Sequence, residues 1–556
     1  IRLTTMFLAI AMAWISVPSA KAIDVVGLTA QQIQIDYAAG TYTATDLVNA
    51  YINRIDKYES TYNAFTSLEF ADALARAAEI DAILATTGSK GPLYGVPVVV
   101  KDNMDWAGKI TTNGYFGFSA ATGGVDLIPS LDSSVVRRLE AAGAIILGKT
   151  NLPDFARSGT DTNSSGFGQT FNGYGLDQGK KFFPGGSSGG TATAVNLSMG
   201  VLGLGTETGG SIQNPSSAQG LVGIKPTFGL VPTDGIFPLN ATLRDVAGPM
   251  AKSVYDAAAT LDVIAGPSGR DPKTADAIGN LPGVSYTTFL DAGSLAGKRV
   301  GVYEPIWNAA LEPEVAALYA SAMSTVESLG ATLVTEVFEG TGWATLFSNP
   351  PVAGGVFKYD INQYLAQLGP TTPFDSIESF AAVAGFPMGQ GANPGNVINA
   401  VNNSINGDIF ENAAFQALYD WQNDVLALYQ QIMIDKDLDA LIYPFSFRPL
   451  PEIGGPGLGA VTVNEINVAG LPVLTVPVDY FDSGAPFHLV IVGNDKWTEP
   501  EIISYGFALE TAFDARIEPT AVPEAGTLIL VGSACLVSLV PLVRRRTKPA
   551  VETIAA

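Results

Sequence analysis

Two stretches of the chain hold the residue types that acyl transfer needs. In "GTETGGSIQNPSSAQGLVGIKPTFG", Gly209 and Gly210 allow close approach to the backbone and leave Ser211 flanked by free N–H donors, the setting in which an oxyanion is stabilised. A serine so placed needs a base. The chain has one histidine, His488, so a lysine is the natural substitute, and it must be buried for its pKa to fall far enough to accept a proton. Lys101, closing the uncharged run in "GVPVVVKDN", is the candidate; read alone, that segment is equally a strand ending in a surface lysine.

Between these two lies "PGGSSGG", Pro184 to Gly190. A Gly/Ser cluster is by default a turn or linker. A phosphate-binding loop would need a lysine and a hydroxyl residue after its last glycine, and here Gly190 is followed by Thr191, Ala192 and Thr193. The dinucleotide fingerprint G-x-G-x-x-G fails as well. What remains is a tight loop feeding the start of a helix, where a serine is well placed for chemistry.

Composition closes off other classes. With 556 residues, 47% hydrophobic and 15% charged, the chain can bury a large core. A formal net charge of −23 argues against a nucleic-acid partner. One histidine and one cysteine, Cys535, make zinc and most transition-metal sites improbable and an intrachain disulfide impossible, while an all-oxygen Ca²⁺ or Mg²⁺ site stays open. No metal or other cofactor is expected.

The two ends read as targeting segments. Residues 1–22, an apolar run after Arg2 that finishes in Ala20-Lys21-Ala22, have the pattern of a secretory signal peptide. Residues 521–556 read as a sorting tail: 525–543 carries no charge and suits a bilayer core of about 30 Å, and Arg544, Arg545 and Arg546 then halt it. Cys535 lies in that span, which sets it apart from any pairing with His488. The motif Val522-Pro523-Glu524, the span and the basic end resemble a PEP-CTERM tail, although Ala525 stands where that pattern usually has a second proline. The resemblance implies exosortase-like sorting machinery and the membrane as partners of the tail, and a location outside the cytoplasm, secreted or held at the cell envelope.

Residues 23–520 must then form the elements that position the candidate groups. "TATDLVNAYINRIDKYE" puts Leu47, Tyr51 and Ile55 on one helical stripe, with Thr43 or Thr45 as N-cap. "YGVPVVVKDN" is a short buried strand, "DSSVVRRLEAAG" a helix ended by Gly143, and "AIILGKTN" another strand. "GTATAVNLSMGVLGLGT" reads helix then strand, "GKRVGVYEP" restarts the pattern, and "DLDALIYPFSF" and "LPVLTVPVDY" supply late strands. Repeated helix and apolar strand predicts an α/β sheet covered on both faces, in one large domain without internal repeats. Residues from about 340 to 435, with weaker periodicity, look like an inserted helical region that shapes the pocket.

Taken together, "GVPVVVKDN", "PGGSSGG" and "GTETGGSIQNPSSAQGLVGIKPTFG" resemble the amidase signature family in order, spacing and wording, with core signature about 90–240. The family includes peptide amidases, fatty acid amide hydrolase and the A subunit of glutamyl-tRNA amidotransferase. "LGKTNLPDFA" and "INVAGLPVLTVPVDY" extend the likeness over about residues 28–515. It implies a single α/β/α sandwich with a mixed central sheet. Ser211 would be the nucleophile, Lys101 the base, and Ser187, 24 residues before Ser211, the bridge between them, held by a cis peptide. Thr208, Gly209, Gly210 and Ser211 would supply the oxyanion hole, with Ser188 in support. Where many relatives have an Asp and an Arg, this chain has Glu207 and Gln213; Gln cannot form the ion pair, so weaker bracing of the loop is expected. His488 is expected to be structural. The implied activity is hydrolysis of an amide to acid and amine or ammonia. An esterase with the same nucleophile, or a membrane-anchored surface binding protein that has kept the fold, are the alternatives.

Overall fold

A computed structural model describes residues 23–523 apart from 304–309, 349, 352–354, 406 and 462. The expected signal peptide and the expected span 525–543 lie outside the described residues. Among the described residues, no helix is long and apolar enough to cross a membrane.

The first long helix, Ala44–Tyr62, shows how closely local sequence dictates local structure. Thr43 takes the N-cap: its hydroxyl accepts from the N–H of Asp46, and the Asp46 carboxylate accepts from the N–H of Thr43 in return. The stripe Leu47, Tyr51 and Ile55 is fully buried beneath it. The helix Ser134–Ala141 starts where the Ser133 hydroxyl accepts from the N–H of Val136, and Gly143 follows its end at φ 84°.

Among the described residues, eleven strands make one mixed sheet. They are β1 (Phe65–Leu68), β2 (Pro97–Lys101), β3 (Ile145–Thr150), β6 (Leu202–Glu207), β7 (Val222–Lys225), β8 (Val246–Ala251), β9 (Arg299–Val302), β10 (Thr332–Val334), β11 (Ala440–Pro444), β12 (Val473–Tyr480) and β13 (Pro486–Gly493); β4 (Asn163–Ser164) and β5 (Gly168–Gln169) form a separate hairpin. The order is β1-β3-β2-β6-β8-β7-β12-β13-β11-β9-β10. Helices pack on it along its length: Phe70–Thr87 on β3, Gly189–Asn196 on β2 and β6, Val254–Ile264 on β8, and Glu499–Phe513 on β12 and β13. This is a single α/β domain with a large mixed sheet flanked by helices, as the alternation of elements predicts.

The strands β1, β7, β8 and β13 are absent from the sequence reading. β8, "VAGPMA", carries Pro249 in mid-strand, a residue that argues against a central position. The structure tolerates it because β7 pairs with β8 only at Met250 and Ala251, so the ladder on that side stops short of the proline.

One pairing sets up the site. β2 and β6 are parallel neighbours, with Val98 opposite Leu202 and Val100 opposite Leu204. Parallel neighbours finish at the same edge of the sheet, so Lys101 and the Thr206–Glu207 end of β6 emerge side by side.

The region from about 340 to 435 is helical, with Trp343–Ser348, Phe357–Leu365, Ile377–Ala384, Val397–Asn402 and Ala413–Asp435. It packs on the core through aromatic rings: Phe118 contacts Phe155 and Phe237 from the core and Phe374 and Phe380 from this region.

Candidate active site

Lys101 closes β2 with no exposed surface. Its Nζ lies 2.7 Å from Ser187 Oγ and 2.9 Å from Thr206 Oγ1, with the Thr206 carbonyl at 3.4 Å. Among the described residues no carboxylate pairs with it. Burial pushes its pKa well below the ordinary lysine value, against the opposing charges of Asp245 and Glu207. A second buried lysine, Lys149, shows the contrast: it sits 2.7 Å from the Asp102 carboxylate and donates to Thr111 Oγ1 and the Ile110 carbonyl. Lys149 thus has a carboxylate partner, whereas Lys101 has none among the described residues.

Ser187 is fully buried, and the Gly186–Ser187 peptide is cis. The glycines around it are explained by what surrounds them. A Cβ on Gly185, at φ 76°, would meet Pro215 Cα at 2.4 Å; on Gly186, the Ser158 carbonyl at 2.4 Å; on Gly190, the Asn151 carbonyl at 2.4 Å. The loop is therefore packed between three backbone segments and is no flexible linker. Ser188 fastens it to β6, its hydroxyl accepting from the N–H of Thr206 and donating to that residue's carbonyl, both at 3.2 Å. The Ser188 N–H donates to the Ser211 carbonyl at 3.3 Å, tying the two serine loops together.

Ser211 keeps 5% of its surface open, whereas Ser187 and Lys101 keep none. Among the described residues no hydrogen bond joins the Ser187 and Ser211 hydroxyls; the two loops meet through the Ser188–Ser211 backbone contact instead. The N–H groups of Thr208, Gly209, Gly210 and Ser211 find no acceptor among the described residues. Gly210 sits at φ 96°, and a Cβ on Gly209 would meet nothing within 4 Å. The Thr208 hydroxyl donates to Asp245 Oδ1 at 2.5 Å, and the other oxygen of Asp245 accepts from the N–H groups of Leu239 and Asn240. These four N–H groups thus lie without an acceptor among the described residues, on a turn that the Asp245 carboxylate anchors through Thr208.

The bracing of this loop differs from the expectation. Glu207 is fully buried and, without an arginine, accepts from the N–H groups of Ile212 and Gln213, from Gln213 Nε2 at 2.6 Å and from Asn467 Nδ2 at 2.8 Å. Four N–H donors replace the ion pair, so Gln213 braces by hydrogen bonding. His488 lies on β13, buried, opposite Pro477, and its ring nitrogens bond to none of the described residues. Burial lowers its pKa to about 3, so it stays neutral and takes no part in the Lys101–Ser187 contact.

Sequence reasoning passed over four residues that hold these groups in place. Thr206 and Asn103, whose Nδ2 donates to Thr206 Oγ1 at 3.0 Å, lie within the quoted segments and were legible as polar side chains beside the candidate groups. Asp245 lies outside the quoted segments with no local signal, and Asn467, although inside the quoted "INVAGLPVLTVPVDY", carries nothing in its local sequence that ties it to Glu207.

The comparisons with known proteins decide the family. The model of the family described as Amidase matches residues 46–503. The chain belongs to the amidase family. Its fold superposes on native peptide amidase from Stenotrophomonas maltophilia with a TM-score of 0.75 at 32% identity, covering 89% of this chain and 99% of that one. An amidase family protein from Bacillus anthracis str. Ames gives a TM-score of 0.74 at 28% identity, covering 89% and 93%. In sequence, the chain is 32% identical over 466 residues to the A subunit of glutamyl-tRNA(Gln) amidotransferase from Thermosynechococcus vestitus, covering 81% of this chain and 91% of the relative. An amidase-family chain is a hydrolase of carbon–nitrogen bonds, and the amidase core carries Lys101, Ser187 and Ser211 inside the matched span.

Proposed function

We propose that this amidase hydrolyses a linear amide, a small-molecule or C-terminal peptide amide, through an acyl-enzyme on Ser211. The carrying observation is the 2.7 Å contact between Lys101 Nζ and Ser187 Oγ, made by a buried lysine without a carboxylate partner among the described residues. Neutral Lys101 takes the Ser187 proton as Ser187 takes that of Ser211, whose oxygen attacks the amide carbon. The oxyanion that forms receives N–H groups from the Thr208–Ser211 turn, each essential donor being worth about 3 to 4 kcal/mol in other hydrolases. The proton returns along the same chain to the leaving nitrogen as the carbon–nitrogen bond breaks. Water then attacks the ester on Ser211 as Ser187 and Lys101 again take its proton, and that proton passes back to Ser211 Oγ as the acyl–oxygen bond breaks and the acid leaves. Thr206 and Asn103 position the amine of Lys101, and Ser188 positions the loop of Ser187.

The likeness to peptide amidase supports a peptide or small amide as substrate, and the export signals expected at both ends weigh against a tRNA-linked role in the cytoplasm. The enzyme is proposed to work outside the cytoplasm with its tail in the membrane before processing by sorting machinery; cell fractionation with an antibody to the amidase core tests this. The test of the chemistry is a fluorophosphonate probe on the purified protein. Covalent label on Ser211, lost in Ser211→Ala, is the expected result; no label on Ser211 removes the hydrolase reading in favour of a binding protein. An esterase shares the same nucleophile. Comparing amide and ester turnover with Lys101→Ala separates the two, because expelling a poor amine leaving group depends most on the lysine relay.

A further inference from the structure

A cleft of about 780 Å³ opens between residues 233–242, residues 270–276 and the helices Phe357–Leu365 and Ala413–Asp435. Its size falls within the range of about 300 to 1,000 Å³ typical of small-molecule sites. Thr233, Ile236 and Ala241 on its core wall also line a smaller space reached by Asn103, Thr206 and Thr208. The cleft thus backs onto the residues that hold Lys101 and the oxyanion turn.

Its charges do not cancel. Four carboxylates line it, Asp234, Asp271, Asp276 and Asp360, against two cations, Arg270 and Lys273. Arg270 is tied to Asp234 Oδ2 at 2.7 Å and Lys273 to Asp271 Oδ2 at 3.4 Å, so both cations are already answered. Asp276 and Asp360 have no ion-pair partner among the described residues; Asp276 is exposed, whereas Asp360 is buried and accepts from the N–H and hydroxyl of Thr242. In addition, Asp234 Oδ1 is buried with no hydrogen-bond partner among the described residues, although the side chain is only 3% exposed. A buried carboxylate oxygen without a donor is a costly arrangement unless a ligand supplies one.

The rim adds aromatic surface. Phe410 and Tyr419 are 54% and 49% exposed, and Phe410 packs edge-on against Tyr359. Aromatic faces beside surplus carboxylates suit a positive charge on an apolar stem.

We propose that this cleft seats an ammonium or guanidinium group on an apolar stem, carried by the part of an amide substrate remote from the bond that breaks. The proposal rests on the hydrolase reading above and names the substrate class that the enzyme prefers. Binding energy from a remote group can be used to orient the scissile amide against Ser211.

The test compares N-acetyl-arginyl-phenylalanine amide with N-acetyl-citrullyl-phenylalanine amide, which match in shape and differ only in a charge one residue away from the amide that breaks, on the full chain at about pH 7.5. The arginine peptide is expected to show a kcat/KM higher by about tenfold, the scale of a cation–aromatic and carboxylate contact. Asp276→Asn and Phe410→Ser, both at exposed positions, should each bring the ratio of the two peptides toward one while thermal unfolding stays that of the parent. A ratio near one in the parent, or a ratio unmoved by both variants, overturns the proposal. Should the fluorophosphonate probe fail to label Ser211, calorimetric binding of the two peptides still decides: tighter binding of the arginine peptide supports the cationic seat, and equal or absent binding of both rejects it.

Discussion

The side-chain amide of Asn467 donates to Oε1 of Glu207 at 2.8 Å, joining the stretch that leads into β12 to the end of β6. Through this contact a segment 260 positions away in sequence braces the acid that accepts from the N–H groups of Ile212 and Gln213, just past the Thr208–Ser211 turn.

Glu207→Gln would place an NH₂ group against donors that now point at a carboxylate. The turn should loosen by the energy of a buried charged hydrogen bond, about 1.5 to 3 kcal/mol. A fall in kcat/KM of about 10- to 100-fold is expected, with slower fluorophosphonate labelling of Ser211. Asn467→Ala removes one donor of four and should have the smaller effect of the two. Equal losses in both variants would show that Asn467 acts by another route.

The pH–rate profile should carry the signature of Lys101. Only the neutral amine can accept a proton, and burial holds its pKa below the ordinary value, so kcat/KM rises as pH climbs through that depressed pKa and then levels. Lys101→Arg, always charged, should be inactive at every pH. A rising limb that survives in the residual activity of Lys101→Ala assigns the ionisation to another group.

How far the site was legible in sequence depends on where its parts come from. Lys101, Ser187 and Ser211 lie in segments whose composition is itself unusual, glycine-dense or uncharged, and close packing of backbone against backbone is what those glycines record. Asp245 is an ordinary polar residue in an ordinary stretch and Asn467 a lone amide within "INVAGLPVLTVPVDY"; only the sheet order brings them to Thr208 and Glu207. The same holds for the fold. β2 and β3 announce themselves as apolar runs, whereas β8 hides behind Gly248 and Pro249, whose fitness for a central strand follows from a partner that stops short.

The glycines offer a paired stability test. Gly190→Ala would press a Cβ onto Asn151 and Ala64 backbone atoms at 2.4 to 2.6 Å, which rigid neighbours cannot relieve. Its melting temperature should drop by several degrees or the protein should fail to accumulate, an overpacking penalty of about 1 to 3 kcal/mol or more. Gly209→Ala meets open space and should unfold at the parent temperature.

Asp105 links the helical region to the core, accepting from Tyr364 at 2.7 Å and Thr111 at 3.0 Å. Burial raises its pKa to about 7. A raised folded-state pKa means that the native protein holds the proton more tightly, so this stabilisation is complete below about pH 4 and lost as pH rises through about 7. Melting temperatures of the parent should therefore decline relative to Asp105→Asn between about pH 4 and 7 and level off above that. Parallel curves for the two proteins would refute the assignment.

His488 should behave in the opposite sense. Its folded-state pKa, lowered to about 3, makes the neutral ring a source of stability that is present above the unfolded value and lost as pH falls toward 3. His488→Gln should match the parent in amide turnover at about pH 7.5 and gain on it in melting temperature as the medium is acidified from about pH 6.5 to 4. A parallel acid decline in both proteins would exclude protonation of this ring as the cause.

The parallel pairing of β2 with β6 has a consequence for redesign. Lys101, the Ser187 loop, the helix Gly189–Asn196 and the oxyanion turn all belong to one contiguous stretch of chain whose own strand pairing sets their spacing. The cleft's outer wall comes from elsewhere, the helices Phe357–Leu365 and Ala413–Asp435. The segment that carries Lys101, Ser187 and Ser211 and the helices that wall the cleft thus come from different parts of the chain, joined where Tyr364 meets Asp105, so exchanging the outer helices while keeping that contact is the route to retargeting the proposed amide hydrolysis.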